Sequence, residues 1–288
     1  MGCKSRFLKK RYNILKGLGI SPKPFLFLTI LATLTTNRNQ KKMRKILIAL
    51  FLGVTMVSFA QEKVLLRLNY EKGQKYTMDM KMAQVIGTGI MTNNMHIQMK
   101  YNIAGVSGDT YESSSKITKM VMDMKQGAVN ISYDSSKKDE ELDETGKMMK
   151  TKMKPYLEAT IITKGDNLGN ILETKIEPSN VQGVGDLTKQ SGSVIYPKEA
   201  VAVGDTWTKT KNDGAMNFSF TYKVKSISSK NVLIDISGKV TGAADGDITG
   251  AMDIDRGSGM PLESNINMTM KIQGQDATTN MTAKFTKG

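Results

Sequence analysis

Apolar and polar residues alternate with period two along most of the chain beyond Lys63, the pattern of strands with one buried face. Val64, Leu66, Leu68 and Tyr70 form one such face, and Tyr76, Met78, Met80 and Met82 form the next. Met95, Ile97, Met99, Tyr101 and Ile103 then alternate with His96, Gln98, Lys100 and Asn102, followed by Met120, Met122 and Met124. The later runs are Phe218, Phe220, Tyr222 and Val224; Val232, Ile234 and Ile236; Met252 and Ile254; Ile266, Met268, Met270 and Ile272; and Met281, Ala283 and Phe285. Turn signals separate them at Glu71-Lys72-Gly73, Gly108-Asp109, Gly165-Asp166-Asn167, Asp245-Gly246-Asp247 and Gly257-Ser258-Gly259. The short spacings predict about ten or eleven strands joined by antiparallel hairpins.

One segment leaves the two-residue period. In 137–156, Leu142, Met149, Met153 and Tyr156 recur at helical spacing, with acids at Asp139–Glu144 and lysines at 147, 150, 152 and 154. That charge order suits a helix dipole and predicts an amphipathic helix over 138–154, ended by Pro155. A short helical turn is expected around Asp186–Gln190. Each strand has one wet face, which excludes a sheet covered on both sides. A sandwich or a curved sheet remains, and a lone helix favours the second. The expected fold is mainly β: a strongly curved antiparallel sheet, half-barrel or barrel, with one covering amphipathic helix.

Composition changes the picture at the N-terminus. From Met43 the chain reads MRKILIALFLGVTMVSFAQEK, a basic start, an apolar run from Ile46 to Val57, and small residues at 58 and 60. This is the form of a secretory signal peptide cut after Ala60, and its apolar run is shorter than the about 20 residues of a membrane span. Residues 1–42 read as a start-site over-call or an N-terminal extension, 43–60 as the signal peptide, and 61–288 as a single β-rich envelope domain. The expected location is periplasmic or secreted.

The whole chain carries 41 Lys and Arg against 27 Asp and Glu, but 12 of the basic residues and none of the acidic ones precede residue 61. Beyond that point 29 basic residues face 27 acidic ones, a net +2, so the basic excess that suggests nucleic-acid binding belongs to the leader. The single cysteine, Cys3, lies there too, leaving no disulfide framework and no lipid-modified cysteine.

YPKEAVAVGDTW (196–207), with the leader ending SFAQE and the opening LRLNYEKGQKY (66–76), resembles an uncharacterised family of exported Bacteroidetes proteins, a domain of unknown function. The resemblance runs over 61–286 and implies no activity, ligand or catalytic residue. A curved sheet with a helix is similar, at fold level, to periplasmic lipoprotein-carrier proteins.

The candidate chemistry is thin. Zinc needs Cys or His, and only His96 follows the leader, on the polar phase of its strand, where a solvated side chain is expected. Soft thioethers suit Cu(I), yet alternate residues of one strand stand about 6.5–7 Å apart, so several Met strands would have to converge on one point. Asp245, Asp247, Asp253 and Asp255 lack the closing Glu of a calcium loop, a position held by Arg256. There is no G-x-S-x-G, and Ser113-x-x-Lys116 and Ser135-x-x-Lys138 lack their partner motifs. No Gly-rich phosphate loop opens a helix, so no cofactor is expected. Catalytic residues and metal ligands are therefore none, and the chain is read as non-enzymatic. An integral outer-membrane barrel is disfavoured by the scarcity of aromatic residues, 6% of the chain.

What remains is an apolar interior rich in adaptable methionine. The expected function is binding a lipid or other hydrophobic small molecule between the Met-bearing sheet face and the helix. The lining would be Met78, Met80, Met82, Met120, Met122, Met124, Phe218, Phe220, Met268 and Met270, with Met149 and Met153 from the helix. The alternative is a structural or protein-interaction module of the envelope with a filled core.

Overall fold

A computed structural model describes residues 62–179, 181, 195–272 and 274–288, with the backbone alone at Asp213. The expected leader (1–60), its cleavage point and the helical turn at 186–190 lie outside the described residues. Everything described belongs to one compact unit, Gln61–Gly288.

Among the described residues fourteen strands form: β1 (Lys63–Val64), β2 (Lys75–Ile86), β3 (Met91–Ser107), β4 (Thr110–Gln126), β5 (Val129–Asp134), β6 (Thr160–Asp166), β7 (Ile171–Glu177), β8 (Val201–Ala202), β9 (Thr206–Asp213), β10 (Met216–Ile227), β11 (Asn231–Gly242), β12 (Ala244–Asp255), β13 (Pro261–Ile272) and β14 (Gln275–Lys287). Twelve of them make one antiparallel sheet in the order β7-β6-β4-β3-β2-β14-β13-β12-β11-β10-β9, with β5 also on β4. It is a curved open sheet, not a closed barrel, with β7 and β9 at its edges. The short pair β1–β8 stands apart.

The strand count exceeds the expected ten or eleven because β6, β7 and β8 alternate too briefly to be read from period alone. Leu66, Leu68 and Tyr70 do not continue β1 as expected. Their backbone is irregular, held by Leu68 N–H to Asn167 O and Asn69 N–H to Ser258 O, both at 2.8 Å. Nor is Asp245-Gly246-Asp247 a turn. It lies inside β12, and the reversal falls just before it, where Gly242 adopts φ +107°.

The helix also departs from expectation. Asp139–Glu141 is a separate 3-10 turn, and α1 runs Glu144–Glu158, opened by Asp143, whose Oδ1 accepts from Gly146 N–H at 2.7 Å. Pro155 does not stop it: Ala159 N–H closes the last turn on Pro155 O at 3.0 Å. Proline costs one backbone hydrogen bond there, and Tyr156 and Leu157 offset it by packing against the core. The helix lies over β4 and β5. It joins β5 to β6, which pair with the two halves of the same edge of β4.

Two cores sit on one face of the sheet. Under α1, Met78, Ile97, Met99, Ile117, Met120, Ala159 and Ile161 form the first, with Met153, Tyr156 and Leu157 packed on it. At the far end, Val64, Leu66, Tyr196 and Val201 from the β1–β8 region cover Tyr222, Val224, Val232, Ile234, Ile236, Met252 and Ile254. Tyr76, Ile103 and Met260 form a third, smaller cluster, with Tyr70, Tyr101 and Phe285 around them.

Candidate functional site

The registers place the methionines on one face, because alternate residues of paired strands point the same way. Met78, Met80 and Met82 pair with Met99, Ile97 and Met95 on β3. On the other side they pair with Phe285, Ala283 and Met281 of β14. From β3 the rows continue to Ile117, Met120 and Met122 of β4, where a bulge opposite Gln98 and Met99 takes up Thr118. Without that extra residue, Ile117 and Met120 would point to opposite faces.

One row thus reads Met122, Met95, Met82, Met281, Ile266, Gly250, Ile236, Tyr222 and Trp207 across nine strands. The next carries Met124, Asn93, Gln84, Thr279, Met268, Ile248, Gly238 and Phe220. A further row holds Ile86, Ala277, Met270, Gly246, Val240 and Phe218.

The twelve expected lining residues all lie on this face or on the helix, but not in one place. Met78, Met120 and Met149 are buried, and Met80, Met122, Met153 and Phe220 pack against the cores. From the helix, Met153 packs on the core that contains Met78 and Met120. Met82, Met124, Phe218, Met268 and Met270 are half-buried in their rows. The half-buried part of the face runs over β3, β2, β14 and β13.

Glycine shapes this face. A Cβ on Gly238, Gly246 or Gly250 would lie 2.4, 2.3 or 2.4 Å from the carbonyl oxygens of Ser219, Thr269 and Asn265 on neighbouring strands. Backbones approach this closely only where no side chain stands between them, so all three glycines allow the sheet to curl there.

Three polar residues interrupt the apolar rows side by side: Asn93 on β3, Gln84 on β2 and Thr279 on β14. Gln84 Nε2 donates to Thr279 Oγ1 at 3.2 Å. Asn93 Oδ1 is buried and has no hydrogen-bond partner. None of the three was expected as a site residue, although each breaks the inward phase of its own strand: Met91-x-Asn93-x-Met95, Met82-x-Gln84-x-Ile86 and Ala277-x-Thr279-x-Met281.

The opposite face of β2 carries Lys75, Thr77, Asp79 and Lys81. This polarity is the reverse of a barrel in lipid, which is apolar outside. There His96 is not freely solvated as expected: its Nε2 lies 2.9 Å from Asp79 Oδ2, which also accepts from Gln98 Nε2 at 2.8 Å. Burial would raise the Asp79 carboxyl, but the hydrogen bonds from Gln98 and His96 outweigh it and hold it below its ordinary value.

A tyrosine group closes the base of the sheet. Tyr70 packs edge-on against Tyr111 at 4.8 Å and Tyr76 at 5.8 Å. Burial pushes the Tyr101 hydroxyl up to about 12 and that of Tyr196 higher still. These are desolvated phenols with structural partners, not acids poised near neutrality.

Among the described residues no group of three His, Cys, Asp or Glu side chains could hold a metal ion. The four thioethers of the Met122–Met281 row span three strand spacings, about 14 Å. No helix among the described residues is long and apolar enough to cross a membrane.

Residues 188–285 match a family of unknown function, DUF6263. The match is narrower than the expected 61–286 and takes in β8 to β14. No curated protein matches the chain. Among solved structures it is similar to lipovitellin, from work described as "lipid-protein interactions in lipovitellin", with a TM-score of 0.53 and 11% identity over 76% of this chain. The chain spans 25% of that protein's length, and the likeness is one of fold.

Proposed function

We propose that this is an exported, non-enzymatic envelope protein that holds a lipid or other hydrophobic molecule against the inward face of its curved sheet. The observation that carries the reading is the apolar row Met82, Met95, Met281 and Ile266, half-buried along the inward face, with Met95 and Ile266 at its ends touching the two cores. Methionine suits such a surface because its unbranched, polarizable side chain repacks around different apolar shapes. The shared fold with lipovitellin, described for its lipid–protein interactions, is in keeping with this reading. The signal-peptide pattern at 43–60 supports export, and the near-neutral balance beyond it disfavours nucleic acid.

Solvent extraction and mass spectrometry of protein purified from cells expressing the full chain test the proposal. A reproducible hydrophobic molecule in stoichiometric amount is expected, and a consistently empty protein that binds no apolar probe overturns it. That second result favours an interaction module, for which the edge strand β7 is the pertinent feature: Ile171 and Leu172 on it are 42% and 54% exposed.

A further inference from the structure

We infer that the molecule held on this face is a neutral lipid bearing a hydroxyl or amide group, which it places against Asn93, Gln84 and Thr279. The inference rests on the hydrophobic-ligand reading above and specifies its chemistry.

The three residues are consecutive across β3, β2 and β14 and form a polar notch in an otherwise apolar surface. Met95, Met82 and Met281 flank it on one side, and Met91, Ile86 and Ala277 on the other. Thr279 is buried, and its hydroxyl oxygen is already occupied by the Gln84 amide, which leaves its own proton to donate. Asn93 Oδ1 is the one buried side-chain oxygen or nitrogen among the described residues without a partner.

Leaving such a group unpaired costs more than a typical hydrogen bond contributes. A ligand that donates to it recovers that cost, so the site distinguishes molecules that carry a donor from those that do not. The notch holds an acceptor at Asn93 and a donor at Thr279, which a ligand reaches as the flexible flanking methionines move aside, and together they complement a group that both donates and accepts. A hydroxyl or a secondary amide is such a group. No charged residue shares these rows on β3, β2, β14 or β13, so a carboxylate or phosphate would be desolvated here without a counter-charge. The apolar rows on either side supply the surface for a hydrocarbon chain.

Displacement of the neutral probe N-phenyl-1-naphthylamine by three matched ligands tests this: 1-monolauroylglycerol, methyl laurate and laurate at pH 8. With the wild-type protein, monolauroylglycerol is expected to bind about tenfold tighter than methyl laurate, which has the same chain and no donor, with laurate weaker than monolauroylglycerol. Asn93→Leu is expected to abolish the preference while retaining methyl laurate binding. Equal affinity for the two neutral ligands in the wild type overturns the inference, as do tightest binding of laurate and a preference that survives in Asn93→Leu. In each of these cases the hydrophobic-ligand reading stands. Failure of all three ligands and the probe to bind overturns both. The wild-type comparison decides the matter without the variant should Asn93→Leu not fold.

Discussion

The buried hydroxyl of Tyr196 donates to the carbonyl oxygen of Gly259 at 2.6 Å, across 63 residues of chain. Gly259 has φ +67°, and a Cβ there would come within 1.9 Å of Arg67 O. Arg67 in turn donates to Pro197 O at 2.8 Å and to Lys198 O. Three remote segments are thus clamped at the base of the sheet. Tyr196→Phe leaves the Gly259 carbonyl without this donor and is expected to destabilise by about 1–3 kcal/mol. Gly259→Ala should cost more, since strain and a backbone clash coincide. Urea denaturation midpoints of the two variants measure the order.

The glycines of the inward face make a second expectation. Gly250→Ala pushes a methyl into Asn265 O and the Ile266 side chain, and should cost about 1–3 kcal/mol. Gly105→Ala is the matched control, because a Cβ there meets nothing within 4 Å and φ is not positive. It should fall within about 0.5 kcal/mol of wild type. Comparable losses at both positions would dismiss the close approach as the cause.

Methionines of one phase are expected to behave differently along it. Met78 is 1% exposed in a packed core, so Met78→Ala should cost about 2–5 kcal/mol. Met82→Ala, four residues on and half-buried, should cost well under half as much in the unliganded protein. The double change Met78→Leu and Met80→Leu conserves volume and should cost less than about 1.5 kcal/mol. Thermal unfolding of the series separates core from open face.

Pro155 sits inside α1, where it removes one helical hydrogen bond. Pro155→Ala restores the donor at an exposed position and should stabilise by about 1 kcal/mol or more. A lower melting temperature for this variant would show that the ring is needed for the way Tyr156 and Leu157 dock.

Acid should weaken the outer face. The Asp79 carboxyl is held below 3.8 in the folded state, so its contribution is present in full above that pH and is lost as pH falls through the lower folded value. With the side chain 34% exposed, solvent screening limits this to about 0.5 kcal/mol. Asp79→Asn should therefore be less stable than wild type at pH 6, with the difference closing as pH falls below 3.8. A constant difference across that range would place the effect in packing instead of charge.

Much of this was legible from local pattern. A two-residue period dictates which side chains share a face, so Met78, Met80 and Met82 could be set inward and Asp79 and Lys81 outward before any strand was paired. The amphipathic segment before Pro155 was equally plain. The sequence also contained the interruption at Asn93, Gln84 and Thr279, yet nothing local shows that three polar residues from strands as far apart as β2 and β14 meet.

What pairing decides is beyond any local signal. Gly246 reads as a turn residue beside two aspartates, but in the sheet it is where Thr269 presses close, because the curl brings two backbones together. The proline ends a helix in isolation, whereas here burial of the following turn outweighs one lost hydrogen bond. His96 looks solvated until register sets it across from Lys81 and beside Asp79. By itself the sequence determined that methionines line the inside, since burial follows periodicity. Only the tertiary structure decided which of them the helix and the β1–β8 region cover, because both are placed by long-range packing.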